Sequence, residues 1–342
     1  VRIFARDRRI IGVGAPRQRA LGLAVDVGTT NVVGFIVDLQ TGARLASLGI
    51  ENPQTAWGAD LVSRINHAIA ARRHQDELQA AARTAINALG HDLARAVGAS
   101  ARDIRDVAIC GNTAMQHLLL GLPVRQLGRA PFVAAAHQPM DLAARDLGFD
   151  FAPGASVHIA GNVGGFVGSD HVAALLATRA RWETPGVSLV MDIGTNTEIS
   201  LMCDGQILSA SCPSGPALEG GHISCGMRAA DGAIERVTIE HGRLRAATIA
   251  NASPVGVCGS GVLDAMSAGL RLGLIDRGGR IGQGHPDILV EDGNRAIRLG
   301  EGVHVVQNDV RAVQLAKSAV RTGVDLLLER MDLTANRIDR FI

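Results

Sequence analysis

In two places along this chain, paired apolar runs flank a short polar interruption. In residues 24–38, AVDVGTTNVVGFIVD, an apolar run carries Asp26 near its end; Gly28, Thr29, Thr30 and Asn31 follow, and then a second apolar run. Residues 187–202, VSLVMDIGTNTEISLM, repeat the device with Asp192, Gly194, Thr195, Asn196 and Thr197. Short apolar runs bounded by turn residues predict strands over 21–26, 32–38 and 44–50, with turns at 27–31 and 40–42. The same pattern predicts strands over 187–192, 198–203 and 206–210, with a turn at 193–197 and an Asp204-Gly205 hairpin. Helical spacing predicts helices over 59–70, 76–97 and 309–331, the last with Val310, Val313, Val320, Val324 and Leu327 on one face. Residues 104–110 read as a strand, after which Gly111-Asn112-Thr113 opens a helix through Leu120.

Two βββ units, each accompanied by helices, predict a duplicated α/β fold with two halves around a ligand cleft, residues 21–186 and 187–342. Residues 1–20 are basic and broken by Gly and Pro, and read as the tail of an upstream segment. The stretch IAGNVGGFVGSD, residues 159–170, is too glycine-rich for a plain helix start and reads either as a hinge or cleft-lining segment that includes Asn162 or as a plain loop.

Composition narrows the function classes. The chain has 342 residues and a hydrophobic fraction of 47%, enough for a sizeable core, but only 3% aromatics and no Tyr, so Val, Leu, Ile and Ala must build it. A formal net charge of +1 argues against general affinity for nucleic acid or an anionic membrane. No apolar run approaches a membrane span, and VRIFARDRRI is too short in apolar residues and too charged for a signal peptide, so the cytoplasm is the default location. Five cysteines with no CxxC read as buried free thiols. The sharper alternative, Cys212 and Cys225 ligating a metal or cluster across a homodimer, needs more ligands than two thiols supply.

The two interruptions carry the chemistry. Gly lets backbone approach a ligand closely, and Thr and Asn add hydroxyl and amide groups beside backbone N–H, which together make an anion cradle. A carboxylate at the end of the preceding strand cannot approach phosphate directly, but it can hold Mg²⁺ through water. Asp26 and Asp192 are therefore the candidate metal and catalytic residues, and the two hairpins form a clamp for a triphosphate, ATP, where catalysis is mostly positioning and charge neutralisation. Glu219 in GPALEGG either positions a water or is a structural or solvated acid. Gly220 and Gly221 either admit nucleotide or turn the chain. Gly259 and Ser260 open a helical segment, where N–H groups receive phosphate or ribose, or Ser260 is an ordinary N-cap. Lys317 falls on the apolar stripe of the last helix, and so either snorkels or meets a ligand. His117 and His222 read as core or surface residues.

The paired loops resemble the phosphate 1 and phosphate 2 loops of the actin, Hsp70 and sugar-kinase superfamily, whose halves have a ribonuclease H-like fold. Five stretches more narrowly resemble the ATPase domain of reductive activators of corrinoid proteins: NPQTAWGADLVSRI (52–65), CGNTAMQHLLLG (110–121), GPALEGGHISCGMRAADGAIERV (215–237), GVCGSGVLDA (256–265) and VVQNDVRAVQLAKSAV (305–320). The resemblance implies ATP-driven, one-electron reduction of a Co(II) corrinoid protein to Co(I) in a methyltransferase system, with the electron entering through an N-terminal 2Fe–2S ferredoxin domain. It also implies nucleotide contact for Lys317, because a helix at its position flanks adenosine in the superfamily. No ferredoxin cysteine pattern occurs here, and the superfamily's adenosine-binding loop would follow Ile342, so the expectation is a fragment incomplete at both ends. Three other readings stay open. One is a small-molecule kinase using Asp170 or Asp231, another is a nucleotide-dependent interaction module without catalysis, and the third is a radical-dehydratase activator with a shared cluster.

Overall fold

The computed structural model describes the chain except Asp7, Asp292 and the side chains of Arg9 and Glu291. The chain divides into two compact units, Val1–Ala180 and Arg181–Ile342.

In the first unit, β1 (Arg2–Arg6) and β2 (Arg9–Gly14) pair as an antiparallel ribbon. There follow β3 (Leu21–Val27), β4 (Asn31–Asp38), β5 (Arg44–Glu51), α1 (Leu61–Ala70), α2 (Arg72–Ala96) and β6 (Ile104–Gly111). The unit then continues through α3 (Thr113–Leu120), β7 (Met140–Ala143), β8 (Ser156–Ile159) and into α4 (Ser169–Trp182). The sheet order is β5-β4-β3-β6-β8-β7. The β3–β4–β5 meander is antiparallel, while β6 and β8 extend it in parallel. Leu21, Leu23, Val25 and Val27 alternate into the core on β3, facing the Leu78, Ala82, Ile86, Leu89 and Leu93 stripe of α2. Gly34 lets α2 approach the sheet, since a Cβ there would lie 2.5 Å from a Leu89 methyl carbon.

In the second unit, β9 (Val187–Ile193), β10 (Thr197–Cys203) and β11 (Gln206–Cys212) form the corresponding meander. Next come β12 (Ala233–Glu240), β13 (Arg243–Thr248), β14 (Gly256–Val257), α5 (Gly259–Arg271), β15 (Ile288–Glu291), β16 (Asn294–Gly300) and β17 (Val303–Val306). The unit closes with α6 (Gln307–Arg330) and β18 (Ile338–Phe341). The principal sheet has the order β11-β10-β9-β18, with β18 parallel to β9. Each unit thus places its third, second and first strands side by side and then adds a parallel strand beside the first. This is the duplicated α/β arrangement expected from the sequence. Helix α6 serves two cores: Val310, Val313 and Ala316 pack with α5 and β12, whereas Leu327 and Leu328 pack beneath β9–β11.

The sequence pattern predicts none of strands β12–β18 in the second unit, and four features of the first unit also depart from expectation. Residues 1–20 contain the β1–β2 ribbon, tied down where Arg6 donates to Asp106 (2.7 Å) and Asp141 (3.0 Å) and where Arg105 covers the Phe4 ring. Helix α2 starts at Arg72, four residues before the expected 76, because its first turn is polar and leaves no periodic mark. Strands β7 and β8 are four residues each, too short to show alternation. The glycine-rich stretch ends at helix α4, which the sequence reading left unassigned.

Gly323 allows α6 to touch the sheet, because a Cβ there would collide with the Cys212 sulfur and come within 3.3 Å of Ile199. Gly323→Leu is expected to destabilise the second unit by about 1–3 kcal/mol through overpacking, read as a lower urea midpoint. An unchanged midpoint would mean that α6 is free to move off the sheet.

Candidate functional site

The first loop is bounded by register: Val27 faces Val32, so residues 28–31 form the connection. Asp26 sits half-buried at the end of β3, paired with Val33 on β4 and Cys110 on β6. Asn52, directly after β5, anchors the loop. Its backbone N–H donates to Thr30 O (2.8 Å), its side-chain amide donates to Gly28 O (2.8 Å), and its Oδ1 accepts from Gln54 N (3.0 Å). In a trans peptide the carbonyl and the following N–H point opposite ways. Holding Gly28 O and Thr30 O therefore directs the N–H groups of Thr29 and Asn31 away from the anchor. Behind Asn52 lies Met115, whose sulfur also takes a 3.2 Å contact from Arg64 Nη1. Arg64 is fully buried, donates from Nε to Gly58 O, and has its guanidinium pushed down to about 10 by burial.

The second loop is one residue shorter, since Ile193 faces Thr197 and only 194–196 connect them. Its anchor is Ser214, just past β11, whose hydroxyl donates to Gly194 O (3.0 Å) and lies 3.3 Å from Thr195 O. Gly215 N donates to Thr195 O (2.8 Å), and Thr197 Oγ1 is 2.8 Å from the Ser214 hydroxyl. By the same peptide geometry, the N–H groups of Thr195 and Asn196 point away from this anchor.

Glu219 joins this loop: Thr195 Oγ1 donates to Glu219 Oε2 at 2.6 Å. The first residue of α5 is there too, because a Cβ on Gly259 would lie 3.1 Å from Glu219 Cα. Gly220 has φ +84° and Gly221 abuts Pro216, so the chain's own turn and packing account for both glycines. Ser260 is not the N-cap of α5. Cys258 occupies that position, and the Ser260 hydroxyl donates to Glu235 O (2.8 Å). Asp192 lies opposite Glu198 in the β9–β10 register, and burial pushes its carboxyl above the usual range. Glu198 is itself buried and accepts from Ser211 Oγ (2.9 Å).

Lys317 is exposed on α6 and borders a pocket of about 460 Å³. Met191, Ile193, Leu218, Met266 and Val313 supply apolar walls, with Asp276 and Gln314 as polar groups. Ile193 and Leu218 immediately precede Gly194 and Glu219, so the pocket adjoins the second loop in the chain.

Sequence reasoning assigned no role to Asn52, Arg64, Ser214 or Glu198. Asn52 and Arg64 lie within the family-like stretch 52–65, and Glu198 stands out as an acid in an apolar strand, whereas Ser214 carries no signal of its own. Other candidates have structural partners. His117 is buried, with Nδ1–H donating to Thr113 O (2.7 Å) and Nε2 accepting from Ala135 N, and burial lowers its pKa. Asn162 Nδ2 donates to Ala136 O (2.9 Å). All five cysteines are free; Cys212 lies in the core beneath β9–β11, whereas Cys225 packs against the α5–β12 core.

Asp192 favours folding while protonated, and that contribution is lost as pH rises through its raised folded value. Asp192→Asn is therefore expected to raise the neutral-pH melting temperature by ~1–3 °C, with the gap closing in acid. Calorimetry across pH checks this, and a variant that melts lower at neutral pH contradicts it.

Two family models match the chain in tandem: the RACo middle region over residues 21–181, and the C-terminal domain of RACo, the ASKHA domain, over residues 186–342. The corrinoid activation enzyme RamQ of Eubacterium limosum is 33% identical over 338 residues, covering 94% of this chain and 56% of that protein. The Co(II) methylated amine-specific corrinoid protein reductase of Methanosarcina barkeri is 25% identical over 336 residues, covering 88% of this chain and 58% of that protein. A solved reductive activator for corrinoid, iron-sulfur protein matches with a TM-score of 0.85 at 32% identity, over 97% of this chain and 55% of its own. The chain thus spans a little over half the length of these relatives. It belongs to the RACo family, carrying that family's middle region and ASKHA domain.

Proposed function

We propose that this chain is the ATP-binding and ATP-hydrolysing core of an activator that returns an inactive Co(II) corrinoid protein to Co(I) in a methyltransferase system. The observation that carries this reading is the repeated anchor. In each unit an Asp-x-Gly-Thr hairpin has its glycine carbonyl held by a residue following the third strand, so backbone N–H groups turn outward as donors for phosphate. The relatives named for corrinoid activation and reduction support the corrinoid partner.

Mg²⁺ suits the acids that end the first strands. Asp192 is a carboxyl whose ionised form is penalised by burial, and a hard cation bound through oxygen and water offsets that penalty. Asp192 would hold it beside the second loop, Asp26 offers the equivalent carboxylate beside the first, and the ion's role would be to neutralise phosphate charge. Glu219, fixed to Thr195, orients a water at the second loop. The Lys317 pocket, apolar with a few polar groups, fits a nucleoside. ATP drives the reduction only by binding more tightly to the conformation that also favours Co(I). For one electron, each 59 mV of potential corresponds to about a tenfold change in equilibrium. The electron comes from a ferredoxin-type 2Fe–2S centre, for which the five free cysteines here have no suitable spacing.

The test supplies this chain with a reduced ferredoxin domain, MgATP and a Co(II) corrinoid protein, and follows phosphate release together with the Co(I) absorption band. Coupled signals are expected. Hydrolysis indifferent to the corrinoid protein would overturn the activator reading. Asp26→Ala and Asp192→Ala are each expected to lower MgATP-dependent turnover about 10²-fold or more while the protein stays folded. Unchanged turnover in both would remove the two-loop reading.

A further inference from the structure

We infer that His67, His74 and Glu77 form a binding site for a divalent transition-metal ion of the zinc class, independent of the nucleotide reading. His67 lies in the last turn of α1, and α2 begins at Arg72 after one extended residue, Ala71. The end of one helix therefore meets the start of the next. His74 and Glu77, three apart on α2, share a face. One ligand atom from each of the three lies within 4.8 Å of the others. His67 Nε2 is 3.5 Å from Glu77 Oε2. Two ligands each about 2.1 Å from a tetrahedral ion would be about 3.4 Å apart, so this separation needs almost no adjustment.

The protonation pattern also fits. His74 Nδ1 lies 3.1 Å from His67 O. A carbonyl only accepts, so Nδ1 carries the proton and the Nε2 lone pair is left for a ligand. Metal-bound histidines are commonly oriented in this way, by donating their other N–H to a carbonyl. His67 Nε2 is buried and makes no hydrogen bond within the protein, an uncommon state for a polar ring atom. The two rings stack 4.2 Å apart with planes 10° from parallel. Each ring's lone pair lies in its own plane, so the ion is reached when one of the two rings turns out of the stack. Two imidazoles and one carboxylate favour zinc, cobalt or nickel over magnesium or calcium. Three protein ligands leave a further position for water. An ion here would fasten α1 to α2, and α1 also carries Arg64, one turn earlier, behind the Asn52 anchor.

The test titrates the tag-free, metal-stripped chain with Co²⁺, reads the visible d–d absorption and then displaces it with Zn²⁺. The expected result is about one Co²⁺ per chain without a thiolate charge-transfer band, competition by Zn²⁺, and a higher melting temperature with metal. Glu77→Gln and His74→Ala lie near the surface and are expected to keep the metal-free melting temperature while weakening Co²⁺ binding at least tenfold. No stoichiometric binding, equal binding by both variants, or a thiolate spectrum would overturn the assignment.

Discussion

Gly28 O and Gly194 O are backbone carbonyls at turns, and each is captured by a residue just past the third strand of its unit. Much of the site's organisation depends on those two hydrogen bonds. A three-strand meander brings the end of its third strand back beside its first hairpin, so a side chain there can reach the turn without any long connection. Capturing the carbonyl from the scaffold side leaves the next N–H facing the other way. A four-residue turn of small polar residues would otherwise sample many conformations. The anchors select one, and the entropy cost of ordering the loop falls on folding rather than on ligand capture.

The buried acids of the second unit divide by how they are satisfied. Asp309 is almost inaccessible and accepts from Ser224 N, Ser224 Oγ and Val306 N. Asp287 is also buried, but Arg243 and Leu244 N overcome that burial and hold its carboxyl below the usual range. These are structural acids, paired by the fold itself. Asp192 differs, because burial raises its pKa and no hydrogen bond or cation contributes to the shift. An acid held in that condition at the end of a strand, beside a glycine turn, fits a group that acquires its counter-charge from a ligand. The buried Arg64 is the converse case in the first unit, a cation whose Nε and Nη1 meet a carbonyl and a thioether rather than a carboxylate, while its Nη2 has no hydrogen-bond partner.

The hairpins and their loops were legible because short apolar runs bounded by Gly, Thr and Asn have few other solutions, and because the device occurs twice. The long helix carrying Lys317 was legible from its stripe; Val310, Val313 and Leu327 are buried as that stripe requires. The anchors were not legible. Asn52 looks like the start of a turn before Pro53, and Ser214 like one small residue among several. Their roles exist only once the third strand lies next to the first. The β1–β2 ribbon was hidden for a related reason: strands of five and six residues, each opening on Arg, read as loop until Asp106 and Asp141, more than 90 residues away, supply partners for Arg6. Glycines misled in the other direction. At Gly220 and Gly259, close packing against Met227 O and Leu218 O suffices to require glycine, whether or not a nucleotide comes near.

The two loops are alike in plan and unequal in chemistry. Asp26 has Val33 as its cross-strand neighbour, whereas Asp192 has Glu198. The second loop is one residue shorter and has Glu219 hydrogen-bonded to its threonine. Acids gathered near one turn respond strongly to an incoming cation, because each ionised neighbour makes its charge more welcome. On the proposed reading, the first loop supplies mainly donors for phosphate and the second also supplies the charge-sensitive groups. A duplicated fold gives such a division naturally. Once two copies of one cradle exist, a single copy is enough to keep the shape, and the other can accumulate acids at some cost in stability.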